Sequence, residues 1–187
     1  MSDTSAAVAA LGAGDLVGLP TDTVYGVACD AFDQRAVRTL FGVKDRPAVK
    51  PIPILVGTID DAVRIGVFDG RTRRLVEDHW PGPLTVVVGR RLQLSPWLGD
   101  PTRDTIGLRI PDHAAALEVL RAFGPLAVTS ANRSGEDPAV DDEGAREIFG
   151  DRLSAYVAGV SGGGEPSTVV DLTGPEPTVL RPGPVTL

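Results

Sequence analysis

The sequence predicts a single α/β domain: a twisted mixed sheet with flanking helices. Three observations carry that expectation. Segments with apolar residues at helical spacing alternate with short apolar runs through most of the chain, the pattern of helices and strands packed in layers. The C-terminal third breaks this alternation and is richer in strands, so the sheet is expected to be mixed. The chain has 187 residues, 42% hydrophobic and 23% charged, which suits one soluble domain, with no internal repeat and no linker to divide it. A chain of this length buries roughly 70% of its unfolded surface and needs no disulfide or metal to hold a core.

Leu16 to Pro20 (LVGLP) and Val24 to Ala28 (VYGVA) read as short strands that hold the polar turn Thr21-Asp22-Thr23 between their ends. From Asp33 to Val43 an Asp cap precedes Val37, Leu40 and Phe41 on one face, a helix that delivers Lys44 at its C-terminal end. The run PIPILV from Pro51 is a buried strand that starts late or lies at an edge, because its prolines cannot donate to a ladder. Thr58 with Asp61 opens a helix to about Gly66, and Arg71 to Trp80 forms another. Pro81-Gly82-Pro83 stops it before the strands LTVVVGR from Leu84 and DTIGLRI from Asp104. Pro111 and Asp112 start a helix with Leu117, Leu120 and Phe123 facing the core, closed by Gly124-Pro125. The strand PLAVTS then runs straight into Ala131-Asn132-Arg133-Ser134-Gly135. A helix near Asp142 to Phe149, a strand around Ala155 to Ala158, the loop GVSGGGEPS, and the strands TVVDL and TVLRP complete the chain.

Composition excludes several functions. The single Cys29 cannot form an internal disulfide, which suits a reducing, cytoplasmic compartment, and with only His79 and His113 beside it a Cys/His zinc site is not expected. No apolar run approaches the roughly 20 residues that cross a bilayer, and the first residues carry no basic region of a signal peptide. Eighteen basic against 25 acidic residues leave a net charge of −7, which argues against broad affinity for nucleic acid or anionic lipid. The basic residues are themselves uneven, since every one outside Lys44 and Lys50 is arginine, and these two lysines share the stretch KDRPAVK. A compact ammonium on a flexible stem at such a place suits a phosphate chain, although chance in an arginine-rich composition produces the same pattern.

No P-loop, dinucleotide-binding glycine motif or G-x-S-x-G elbow is present, and the two histidines stand far from any serine nucleophile. Covalent catalysis is therefore disfavoured. What the chain offers is a series of hydroxyls, amides and cations at the ends of apolar strands, groups that hold anions and stabilise developing charge. They are Thr21-Asp22-Thr23 with Tyr25, the cations Lys44, Arg46 and Lys50, the run Thr129 to Gly135, the same-face pair Thr105 and Arg109, the glycine loop leading to Ser167, and Arg181. An arginine inside an apolar strand such as Arg109 needs an anionic partner, either a structural Asp or a ligand carboxylate.

In order along the chain, P-T-D-T-V-Y-G-V, K-x-R-P-x-x-K-P, L-R-I-P, T-S-A-N-x-S-G, S-T-V-V-D-L and L-R-P-G resemble the YrdC-like family of threonylcarbamoyl-AMP synthases, from about Val17 to Pro184. The resemblance implies a concave, positively lined substrate cavity and the conversion of L-threonine, bicarbonate (or CO2) and ATP to threonylcarbamoyl-AMP and pyrophosphate, the first step toward threonylcarbamoyladenosine in tRNA. It implies that Thr23 and Arg109 contact threonine, and that Arg46 and Lys50 contact ATP with Lys44 beside them at the phosphates. Thr105 and Asn132 would be further nucleotide contacts, with Ser130 between the two substrates. Ser167 and Arg181 would close over threonine and nucleotide, and the glycine loop would be a lid. Lys44, Arg46, Ser130 and Asn132 would form the catalytic signature, with Mg2+ accompanying ATP and tRNA-modification proteins downstream. Asp22 stands where many members have Glu, and Leu55 where some have a polar residue. The chain resembles the short form without an extra C-terminal domain. Two other readings are weighed: a carbamoyl-transfer domain related to hydrogenase maturation, which the single cysteine disfavours, and an RNA- or tRNA-binding module, which the net charge disfavours.

Overall fold

The computed structural model describes residues 3–44, 51–92, 94–95, 97–133 and 135–187. Within them, six helices flank one mixed sheet of nine strands. In chain order these are α1 (Asp3–Gly12), β1 (Val17–Leu19), β2 (Gly26–Asp30), α2 (Gln34–Val43), β3 (Ile54–Leu55), α3 (Ile59–Ile65), α4 (Gly70–His79), β4 (Leu84–Gly89), β5 (Thr105–Arg109), α5 (Ala114–Phe123), β6 (Leu126–Ser130), α6 (Asp142–Phe149), β7 (Ala155–Tyr156), β8 (Thr168–Asp171) and β9 (Thr178–Arg181). The strand order is β7-β1-β2-β6-β3-β5-β4-β8-β9. β1/β7, β3/β5 and β4/β8 run parallel and the other neighbours antiparallel, so the sheet is mixed as the strand-rich C-terminal third predicts.

Local chemistry starts four of the helices. Asp33 accepts from the amides of Arg35 and Ala36, Thr58 from Asp61, Asp69 from Thr72 and Asp141 from Gly144. Each such cap contributes about 1 kcal/mol by satisfying an amide that the helix leaves open. Between caps, the apolar stripes dock as their spacing dictates, with Val37, Leu40 and Phe41 of α2 all buried.

The structure corrects the sequence reading at four places. Helix α1 was not anticipated: its alanine-rich sequence has little contrast between faces, and only Ala7 and Leu11 are buried. The strand expected over PIPILV shrinks to Ile54–Leu55, with Ile52 forming an isolated bridge to Leu98. β2 begins at Gly26, two residues later than expected, because Tyr25 bonds to the Ala139 and Ala131 backbone instead of the ladder. In α5 the buried positions are Ala116, Val119 and Leu120, while Leu117 and Phe123 sit at the margins of the core.

Alternation along the strands builds two cores of different extent. On one face Val27, Cys29, Ala127, Ile54, Val86, Ile106 and Leu108 meet α2, α3, α4 and α6 across the sheet. On the other, Val17, Leu19, Ala28, Leu126 and Val128 meet only α1 and α5. These two helices cover the end of the sheet around β1, β2 and β6. Among the described residues, this second core does not extend onto β4, β5, β8 or β9, and the polar residues of those strands collect there.

Candidate functional site

A cleft of about 570 Å³ opens on this face. Thr85 and Val87 of β4, Thr105, Gly107 and Arg109 of β5, Val169 of β8 and Leu180 and Arg181 of β9 line it. Because side chains alternate along a strand, Thr105 and Arg109 share the cleft face while Ile106 and Leu108 fill the core behind them. The opposite wall comes from Thr21 and Thr23, the Pro51–Pro53 segment, Leu55, Ser130 and Asn132.

At one end Arg109 is held on three sides. Its Nε donates to Gly82 O at 3.0 Å and its Nη1 to Thr23 Oγ1 at 2.9 Å. Its Nη2 forms an ion pair with Asp22. The turn that supplies these partners is bonded to itself: Thr21 Oγ1 donates to Val24 O at 2.7 Å and accepts from Thr23 N at 3.2 Å. Of the two partners that the strand arginine required, the structure supplies the structural Asp. Burial pushes the Arg109 guanidinium below its usual range, the Asp22 carboxylate opposes this, and the Arg181 charge adds to it. Tyr25, grouped with the turn on sequence, points instead into the core and donates to Val157 O at 2.8 Å.

Arg181 of β9 lines the same cleft, three strands along the sheet from Arg109. Its Nε and Nη2 donate to Ser167 O at 3.0 and 2.7 Å, and Nη2 also reaches Ser167 Oγ at 3.1 Å. Ser167 Oγ in turn shares a hydrogen bond with Thr85 Oγ1 at 2.8 Å. No carboxylate among the described residues pairs with Arg181, and burial lowers its pKa. The Arg181 charge acts against the Arg109 guanidinium, and an anion bound in the cleft relieves that repulsion.

The S-A-N turn closes the third side. Ser130 Oγ donates to Asn132 Oδ1 at 2.7 Å, and Asn132 Nδ2 to Glu136 O at 2.6 Å. Lys44, 5% exposed, reaches the turn from behind: its Nζ donates to Ser130 O at 2.7 Å, to Asn132 Oδ1 at 2.5 Å and to Asn132 O. The ammonium thus organises the turn, and Lys44 is not among the residues lining the cleft. The structure brings Thr23, Thr105, Arg109, Ser130, Asn132, Ser167 and Arg181 together, while Arg46 and Lys50 lie outside the described residues.

The sequence reading missed Thr85 and Arg103. Thr85 carried a signal, being the polar position in the otherwise apolar strand of β4. Arg103 carried none; it lines the cleft from a loop and pairs with Asp171 at 2.6 Å, a contact 68 residues away in sequence. Among the described residues no group of three or more His, Cys, Asp or Glu side chains could hold a metal ion.

The glycine loop lies against the T-D-T turn. Gly162 N donates to Thr21 O and Gly164 N to Thr23 O, both at 3.1 Å, and Thr21 N donates to Ser161 Oγ at 3.1 Å. A side chain at Gly162 would place its Cβ 2.4 Å from the Asp22 carbonyl oxygen, so only glycine permits this approach.

The fold and site define an α/β protein with a cleft lined by arginines, hydroxyls and an amide. A family model described as "Telomere recombination" (Sua5/YciO/YrdC) matches residues 9–183. A protein of Mycobacterium tuberculosis is 49% identical over 183 residues, 96% of this chain and 83% of that one. The threonylcarbamoyl-AMP synthase of Mus musculus is 38% identical over 187 residues, 95% of this chain and 66% of that one. The crystal structure of Pyrococcus abyssi Sua5 complexed with L-threonine aligns with a TM-score of 0.91 at 32% identity, covering 96% of this chain and 54% of that one. The chain belongs to the Sua5/YciO/YrdC family.

Proposed function

We propose that this chain is a threonylcarbamoyl-AMP synthase, which joins L-threonine, bicarbonate (or CO2) and ATP into threonylcarbamoyl-AMP with release of pyrophosphate. The observation that carries the reading is the pair of guanidiniums in one cleft, Arg109 beside the Thr23 hydroxyl and Arg181 with no carboxylate partner among the described residues, in a chain related to proteins of that name. The reaction needs two anion sites, one for the amino-acid carboxylate and one for phosphates. Arg109 with Thr23 is assigned to the first, and Arg181 with Ser167 to closing over the ligands. Ser130 and Asn132 stand between the substrates, and Thr105 contacts the nucleotide. Arg46 and Lys50 join Lys44 at the phosphate end, Lys44 by holding the S-A-N turn.

In the chemical steps the threonine amine captures CO2, and a carbamate oxygen then attacks the α-phosphorus as pyrophosphate leaves. The charge to be stabilised lies on phosphoryl oxygens, so positioned cations serve and no protein nucleophile is required. The described residues form no cage for Mg2+. In this reading the ion belongs to the triphosphate as part of the substrate. The glycine loop, docked by main-chain bonds, serves as a lid that keeps water from the carbamate and the mixed anhydride.

A cytoplasmic location is supported by the buried free thiol of Cys29, and no helix among the described residues is long and apolar enough to cross a membrane. Proteins that transfer the threonylcarbamoyl group to tRNA are the expected downstream partners. The test is pyrophosphate release by the purified protein, which should require threonine and bicarbonate together with ATP. Equal release without threonine would refute the assignment. Binding of ATP should also fall only mildly with salt, whereas a protein that tracks an RNA backbone loses affinity steeply.

A further inference from the structure

The roles assigned so far leave one charged atom without a use. Asp22 accepts from Arg109 through Oδ1, yet its Oδ2 is buried and has no hydrogen-bond partner among the described residues. The Asp22 side chain is 13% exposed and that of Arg109 6%, so this oxygen stands away from water. Buried carboxylate oxygens are nearly always satisfied, and one that is not requires an explanation. The location suggests the donor that is missing. Thr21, Thr23 and Arg109 line the cleft, whereas Asp22 between the two threonines does not: its carboxylate lies on the guanidinium, and the loop carrying Gly162 packs against its backbone. A guanidinium and a carboxylate side by side are the charge complement of a zwitterion: the first matches an α-carboxylate, the second an α-ammonium. Asp100, the carboxylate that lines the cleft among the described residues, has Oδ1 engaged by the Thr102 amide, the Thr102 hydroxyl and the Arg103 amide.

We propose that Asp22 Oδ2 receives the α-ammonium of the amino-acid substrate and takes up its proton as the amine attacks carbon dioxide. The inference rests on the synthase reading above. The ammonium passes one proton to Oδ2, and the freed nitrogen lone pair forms the N–C bond to CO2. One C=O π pair moves onto oxygen to complete the carbamate, and the remaining excess proton on nitrogen leaves to water. The glycine loop lies over this turn, held by the amides of Gly162 and Gly164 and by Ser161 Oγ. Lifting that loop gives the amine its approach.

Two measurements test the role. Calorimetry on the wild-type protein without ATP compares threonine with 3-hydroxybutanoate, which keeps the carboxylate and hydroxyl but has no amine. Threonine should bind about tenfold more tightly or better, and Asp22→Asn should abolish that preference. Equal binding of the two ligands by the wild type overturns the proposal and needs no variant to fold. In turnover, Asp22→Asn keeps an oxygen for Arg109 but loses the proton acceptor. Its kcat/KM for threonine should fall roughly 100-fold or more, whereas formation of ATP from threonylcarbamoyl-AMP and pyrophosphate, which involves no amine, should fall less than about tenfold. Equal losses in both directions mean that Asp22 only holds Arg109, which also overturns the proposal. Absence of threonine-dependent pyrophosphate release by the wild type would instead refute the synthase reading, and the ligand comparison would still judge the zwitterion site.

Discussion

Replacing Lys44 by methionine keeps the length and apolar packing of the stem and deletes the ammonium. In the structure Nζ donates to Ser130 O at 2.7 Å, to Asn132 Oδ1 at 2.5 Å and to Asn132 O. Hydrogen bonds to a charged group contribute about 1.5–3 kcal/mol each, but the three do not simply add. Asn132 Oδ1 keeps a second donor in Ser130 Oγ at 2.7 Å, and removing the ammonium also removes the cost of burying it. What the variant leaves behind is buried carbonyl oxygens short of a donor, not an unpaired charge, and that costs about 1–3 kcal/mol. A chain of this size loses about 2–4 °C in melting midpoint per kcal/mol, so Lys44→Met should melt roughly 2–12 °C below the wild type. Circular dichroism against temperature reads this directly, and pyrophosphate release at a temperature where both proteins are folded reads the effect on the turn. A midpoint within about 2 °C of the wild type, less than 1 kcal/mol, would show that the ammonium does not hold the S-A-N turn, and the placement of Lys44 behind the cleft would have to be abandoned.

Gly162→Ala forces a Cβ to 2.4 Å from the Asp22 carbonyl oxygen, so the loop must leave the turn. Threonine affinity by calorimetry should fall about tenfold, the equivalent of one lost hydrogen bond, and an unchanged value would separate the loop from the site. Arg109→Ala should weaken threonine more than ATP, and Arg46→Ala and Lys50→Ala the reverse, by about 10–100-fold in each case; titration of each ligand against each variant checks the division. Burial, with Asp30 and Asp33 nearby, pushes the Cys29 thiol well above its usual range. The unfolded chain therefore loses this proton above about pH 8.5 while the folded chain keeps it, so stability falls as pH rises, by up to about 1.4 kcal/mol per unit. Urea denaturation between about pH 8.5 and 10 should show a shallower decline for Cys29→Ala than for the wild type, and equal slopes would place the thiol in contact with water.

Much of the site could be read before any fold was known, because its residues stand at the ends of strands whose apolar runs mark them. Thr105 and Arg109 share a face by strand periodicity alone, and Ser130 and Asn132 follow a strand that runs into a turn. The fold class was legible for the same reason, since caps such as Asp33 and Thr58 and stripes such as Val37, Leu40 and Phe41 are local signals. Helix α1 was not legible: alanine favours a helix but marks no face, and this helix is placed by packing against the second core.

The sequence by itself determined which side chains are available at strand ends, that one cysteine cannot form an internal disulfide, and that Arg109 needs an anion. Only the tertiary structure decided which anion. Asp22 meets Arg109 across 87 residues of chain, and Lys44 meets Asn132 across 88. Such contacts depend on strand order, which brings β5 against β3 and β4, and on a second core that, among the described residues, stops short of β4, β5, β8 and β9. Local patterning is written in the first few neighbours of each residue. The pairing of distant charges depends on how the whole sheet closes, and that made one arginine a partner of Asp22 and left the other, among the described residues, without a carboxylate.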